Sequence, residues 1–281
     1  MTMQAIQAPA PTGAARLRRR LRAAERLVRI GLLTVAFGVP AWLSAQLPRR
    51  AAGLGRRYRR WTLRSWSRAC LRVADVRLTR HGQPPEPPYF LVANHLGYLD
   101  LFVLGAVLDQ PVFVAQHGIA DWPLVGRLAR AMDTIFVDRA NPQDLLRVNR
   151  AVEAALDAGR SVVMFPEGTS MPGVRVEPFM SPVLAPPARR GLPVHAASLH
   201  YRTRKDELPA HQSVCWWGDM TFVPHALQLL QLTGVDAAVT FVAEPIQDAD
   251  RKQLARRLWT VVDEAFTPIV TGEDACRIRW P

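Results

Sequence analysis

The rhythm of apolar and polar positions changes twice along the chain. Residues 1–15 are small and proline-rich and predict a tail without packing of its own. Residues 30–47 then run 18 positions without a charge, interrupted by Gly38 and Pro40, which reaches the lower limit for crossing a bilayer as a helix. Next, Leu54, Tyr58, Trp61, Trp66, Val73 and Val76 recur near helical spacing, with Arg57, Arg60, Arg64, Arg68 and Arg72 at threes and fours on another side. Beyond the proline-rich turn at 83–88, short apolar runs alternate with amphipathic segments. The runs at 89–93, 112–115, 134–137, 161–165, 194–199 and 235–243 predict buried strands. Segments 101–108, 142–158 and 248–266 predict helices, the second with Asn141 as N-cap, Pro142 at its first position and Gly159 just past its end. Strand alternating with helix implies an α/β fold, a central mostly parallel or mixed sheet with flanking helices, and chemistry at the loops after the strands.

Charge divides the chain at the same place. Residues 1–80 hold 18 Arg against Glu25 and Asp75, a formal +16, whereas the remainder carries −4 of the total +12. A basic groove across the fold is thereby disfavoured, and so is nucleic-acid binding, because the arginines accompany tryptophans and an uncharged run. Trp at an apolar–polar boundary beside Arg suits a membrane interface, rings among the headgroups and cations on lipid phosphates. Arginine on both flanks of 30–47 favours the cytoplasmic side for both, hence a monotopic segment bent near Pro40, or a single short membrane segment, at the cytoplasmic face of the cell membrane. Residues 1–83 read as a basic membrane-anchoring segment (apolar 30–47, amphipathic 54–76) and 84–281 as a catalytic domain. Cys70, Cys215 and Cys276 lack paired metal spacing and read as reduced thiols.

Four stretches carry candidate chemistry. In the polar gap at 94–100, His95 and Asp100 stand five apart across Gly97; a carboxylate on one ring nitrogen fixes the tautomer and lets the other take a proton. Read from spacing alone, an aspartate capping the following helix beside an incidental histidine explains the pair equally well. At 165–170 a strand ends in Phe-Pro-Glu-Gly-Thr-Ser, where Gly168 frees the backbone and Thr169 offers a hydroxyl. At 135–139 a buried strand ends in Asp138 and Arg139, the latter a fork of donors for an anion. At 192–197 another strand is entered through proline. No G-x-S-x-G elbow suggests a covalent intermediate, and the remaining histidines lack metal-ligand spacing.

The ordered blocks A-N-H-x4-D, I-F-V-D-R, F-P-E-G-T and a Pro-Val strand, all within residues 92–197, resemble the glycerolipid acyltransferase family of the bacterial 1-acyl-sn-glycerol-3-phosphate (lysophospholipid) acyltransferase type. Trp216-Trp217-Gly218-Asp219-Met220 resembles a further segment of bacterial members. The resemblance implies that His95 is the catalytic base and Asp100 its orienter. It also implies that Arg139, Glu167, Gly168 and Thr169 hold the acceptor's head group. The implied reaction moves a fatty acyl group from acyl carrier protein or a coenzyme A thioester, used as co-substrate with no other cofactor and no metal, to a lysolipid hydroxyl. Most simply, 1-acyl-sn-glycerol-3-phosphate becomes phosphatidic acid in phospholipid biosynthesis.

Two positions depart from the family pattern. Ser170 follows E-G-T and Met180 follows P-F where members often carry cations. Arg139 then stands as the main anion contact, with Arg175 a substitute, and a lyso-ornithine lipid becomes the alternative acceptor. A non-catalytic lipid-binding protein and a thioester hydrolase are the remaining readings.

Overall fold

The computed structural model describes residues 13–45, 52–116, 118, 125–138, 141 and 143–278. The chain forms, in order, α1 (Gly13–Ala45), α2 (Ala52–Val73), β1 (Val76–His81), β2 (Phe90–Ala93), α3 (Leu99–Val107), β3 (Pro111–Gln116), α4 (Val125–Ala131), β4 (Ile135–Val137), α5 (Asp144–Asp157) and β5 (Ser161–Met164). It continues through α6 (Ala185–Arg189), β6 (Val194–Thr203), α7 (Ala210–Ser213), α8 (Phe222–Gln231), β7 (Val235–Phe241), α9 (Arg251–Ala265) and α10 (Glu273–Arg277). One seven-stranded sheet runs in the order β1-β7-β6-β2-β5-β3-β4. Every neighbouring pair is parallel except β6 and β7.

Side chains alternate across this sheet, so each strand feeds two cores. Leu91, Ala93, Val163 and Leu199 face α2, α3 and α8, while Phe90, Val92, Val162 and Ala196 face α5, α6 and α9. Burial on both faces explains why β2 and β5 read as unbroken apolar runs. The α5 helix begins at Asp144, two residues later than expected, with Gln143 at its cap: the Asn141 side chain accepts from Gln143 N at 3.0 Å, and Pro142 lies outside the described residues. Asp250, by contrast, caps α9 through the amides of Lys252 and Gln253.

The N-terminal region differs most from expectation. Helix α1 continues through Pro40, which stands on its exposed side, so the chain does not turn back there as a hairpin; the connection to α2 lies at 46–51, outside the described residues. Several arginines expected to meet lipid instead fasten the arm to the fold. Arg64 and Arg68 of α2 donate to the carbonyls of Val107, Leu108 and Ala106 at the end of α3, and Arg22 and Arg26 of α1 donate to those of Gln231, Leu230 and Leu232 at the end of α8. Terminal helix carbonyls lack intrahelical partners and carry the negative end of the dipole, so guanidinium groups are their natural caps. Gly105 of α3 permits close approach of α2, since a Cβ there would stand 2.7 Å from Ser67 Oγ. The helical arm ends at Val73, and residues 76–81, expected to lie within the anchoring segment, form the edge strand β1.

One outward face of α1 is apolar, while Arg16, Arg18, Arg20, Glu25 and Arg29 are exposed elsewhere on the helix. Leu17, Leu21, Val28, Leu32, Val35, Val39 and Trp42 are exposed at helical spacing along one face. Among the described residues, α1 is the helix long and apolar enough to cross a membrane.

Candidate active site

Strand β2 ends at Ala93, and the next side chain prolongs the sheet. Buried Asn94 donates its amide to Leu199 O at 3.1 Å and accepts from Leu199 N at 2.7 Å, tying the loop root to β6. Residues 95–98 turn outward and α3 starts at Leu99, which places Asp100 in its first turn, fully buried, where the helix dipole favours a carboxylate. Asp100 Oδ2 accepts from His95 Nδ1 at 2.7 Å, from Leu96 N at 2.7 Å and from Gly97 N at 3.1 Å. Because an ionised carboxylate only accepts, this contact puts the proton of the neutral ring on Nδ1 and leaves Nε2 with a lone pair. The His95 ring stacks on Phe165, centroids 4.2 Å apart, and its side chain is 14% exposed.

The loop after β5 lies beneath that histidine. Glu167 Oε1 accepts from His95 N at 2.6 Å and Oε2 from Glu177 N at 3.0 Å. Burial pushes the Glu167 carboxyl up to about 8, against the opposing pull of those two backbone donors. Gly168 adopts φ +78, a backbone conformation that calls for glycine, and the Met180 thioether lies over it. Ser170 is buried and donates its hydroxyl to Trp216 O. Main-chain bonds complete the frame: Met171 N donates to His95 O and Trp216 N to Leu96 O, each at 2.8 Å. The loop carrying His95 is thus held between the 165–171 loop and the Trp216 segment.

The structure brings His95, Asp100, Glu167 and Gly168 into one cluster at the carboxyl ends of parallel strands β2 and β5, with exposed Thr169 on the same loop. Glu167 accepts from two backbone amides, that of His95 at Oε1 and that of Glu177 at Oε2. Arg139 lies outside the described residues. Arg175 pairs with Glu177 at 2.8 Å. Sequence reading missed Tyr201, whose hydroxyl donates to Asp100 Oδ1 at 2.6 Å, and missed the bridging by Asn94. A phenol in step with Ala197 and Leu199, two residues beyond the apolar run at 194–199, was the available signal for the first.

A family model described as Acyltransferase matches residues 75–195. The lyso-ornithine lipid O-acyltransferase of Rhodobacter capsulatus is 32% identical over 195 residues, covering 67% of this chain and 69% of that protein. The protein of the same name from Pseudomonas aeruginosa is 33% identical over 252 residues, covering 86% and 91%. Among solved structures, the crystal structure of the 1-acyl-sn-glycerophosphate (LPA) acyltransferase PlsC from Thermotoga maritima superposes with a TM-score of 0.67 at 18% identity, covering 89% of this chain and 97% of that one, which is a likeness of fold. An A-N-H-x4-D loop with its histidine and aspartate in contact, framed by the F-P-E-G-T loop, in a chain with relatives this extensive, leads to one conclusion: the protein is an enzyme of the glycerolipid acyltransferase family.

Proposed function

We propose that the protein esterifies a lyso-ornithine lipid, taking the fatty acyl group from acyl carrier protein or coenzyme A at the cytoplasmic face of the membrane. The observation that carries the choice of acceptor is the state of positions 170 and 180. The Ser170 hydroxyl turns inward to Trp216 O, and Met180 lays its thioether over Gly168, so neither supplies a cation beside the catalytic loop. The charge of Arg175 is shared with Glu177. A phosphate monoester calls for several charge-assisted donors, whereas an ornithine head, with its carboxylate and ammonium, balances its own charge. Relatives named for that acceptor support the reading. The 1-acyl-sn-glycerol-3-phosphate reading, the simplest one from the motifs, takes second place.

In the proposed reaction His95 Nε2 takes the proton of the acceptor hydroxyl while Asp100 stabilises the imidazolium that forms. The hydroxyl oxygen bonds to the thioester carbonyl carbon, the carbon–sulfur bond breaks, and the departing sulfur receives the proton from His95. Thiolate leaves readily, so much of the acceleration falls to holding hydroxyl and thioester together. Arg139, Gly168 and Thr169 are assigned to the head group, and Glu167 to keeping the His95 backbone in place. The exposed apolar face of α1 supports monotopic seating on the bilayer.

The deciding experiment gives purified full-length protein one acyl thioester with either lysolipid. Ester formation with lyso-ornithine lipid should exceed that with 1-acyl-sn-glycerol-3-phosphate by at least about tenfold, a difference of about 1.4 kcal/mol. Preference for the phosphate would reverse the assignment of acceptor, and release of free fatty acid without any acceptor at the same rate would make the enzyme a hydrolase.

A further inference from the structure

We propose that Tyr201 is a positioning residue of the dyad: its phenol pins Oδ1 of Asp100 and so keeps Oδ2 on His95 Nδ1. The inference rests on the assignment of His95 and Asp100 as base and orienter. Strand β6 pairs with β2 only as far as Ala197, opposite Ala93, and then runs on against β7 alone through Thr203. Ala197, Leu199 and Tyr201 alternate onto the face that packs under α3. This carries the Tyr201 ring, 1% exposed, beneath the first turn of that helix. Its hydroxyl meets Asp100 Oδ1 at 2.6 Å. A carboxylate only accepts, so the phenol donates. Burial, with the neighbouring Asp100 charge, raises the phenol well above its usual range, and it remains a protonated donor throughout the working pH range.

The four donors divide unequally. Three converge on Oδ2, while Oδ1 receives the tyrosine. Rotation of a carboxylate about its last bond is soft and two-fold, and a buried oxygen without a donor is costly. The phenol removes that freedom, and with it the freedom of the imidazole that follows the carboxylate. Tyr201 touches neither hydroxyl nor thioester; it acts through Asp100.

Steady-state kinetics of the full-length protein, with one acyl thioester and the better lysolipid, test this. Tyr201→Phe keeps the ring and its packing. It should lower kcat about tenfold with both KM values within about twofold of the parent, while the thermal transition stays cooperative at a midpoint lowered by a few degrees, because Asp100 Oδ1 is left buried without its donor. In an Asp100→Ala background it should add no further loss, because the group it positions is gone. Should the Phe variant lose its thermal transition, Tyr201→Leu carries the same comparison. Unchanged kcat, or a loss confined to KM, overturns the proposal, as does an equal factor of loss in both backgrounds, which marks a tyrosine that serves only the fold. Turnover retained by Asp100→Ala itself would instead overturn the dyad assignment on which the inference rests.

Discussion

In the proposed reaction a single residue, His95, moves the proton. Replacing it by Ala removes the base and leaves Asp100, Glu167 and Tyr201 in place, and acyl transfer should fall by at least about a thousandfold with vesicle binding and thermal midpoint retained; a variant turning over within about tenfold of the parent contradicts the role. Glu167 makes a prediction about pH. Its carboxyl is held up at about 8 in the fold against an ordinary 4.5, so the folded state binds that proton more tightly than the unfolded one. The resulting stabilisation is complete below about pH 4.5 and is lost as pH rises through about 8. The thermal midpoint should therefore decline across that window, and Glu167→Gln should flatten the decline; an equal slope in the variant would assign it elsewhere. The His95–Asp100 pair was legible because its partners are five residues apart, across a turn into α3, within the first of four ordered motif blocks. The contacts of Glu167 to His95 and of Tyr201 to Asp100 span 72 and 101 residues and depend on how strands are ordered in the sheet.

Among elements, the two N-terminal helices show how a correct pattern can carry a mixed meaning. Amphipathic spacing with repeated arginine foretold α2, and the uncharged run at 30–47 foretold only the later part of α1, yet the arginines of both helices serve two purposes. Some face outward, while Arg22, Arg26, Arg64 and Arg68 reach the carbonyl ends of α8 and α3. Arg26 is the most committed of these, buried, bonded at 2.7 Å to Leu232 O and 3.9 Å from Asp75. Arg26→Met keeps the stem and removes the donors, leaving carbonyls at the end of α8 unmatched. It should cost about 1–3 kcal/mol in denaturant unfolding, and a change within about 0.3 kcal/mol would reduce these bonds to incidental contacts. Strand β1 escaped sequence reading for an equally physical reason: only Val76 of its six residues is buried, as befits an edge strand paired on one side. Helix α1 passed Pro40 because that ring stands on the outward side, clear of the packing against α2 and α8.

For the whole molecule, the arm and the sheet form a continuous structure whose apolar α1 face is left outside. Introducing charge there should release the protein from lipid without touching the dyad. Replacing Leu21, Val28 and Leu32 by Glu removes three apolar side chains from any lipid contact, about 1 kcal/mol each, and should weaken partition to anionic vesicles about a hundredfold while leaving the thermal midpoint intact. Undiminished partition would show that some other surface holds the membrane. Deleting residues 1–80, a plausible way to remove an anchor judged from charge alone, takes away nearly all of β1 together with the caps of α3 and α8, and so would damage the fold along with the anchor.

Sequence alone determined the alternation that makes this an α/β protein, the place of its strand-end loops and the asymmetry of charge, because each is written in spacings of a few residues or in composition; it singled out the His95–Asp100 pair through the ordered motif blocks, since the spacing of the two by itself fits a capping aspartate equally well. Tertiary structure decided which of the N-terminal arginines cap helices, that residues 76–81 complete the sheet, that Glu167 supports the His95 backbone, and that Tyr201 reaches Asp100. Those outcomes depend on strand order and on hydrogen bonds between residues tens to hundreds of positions apart, for which short-range periodicity carries no signal.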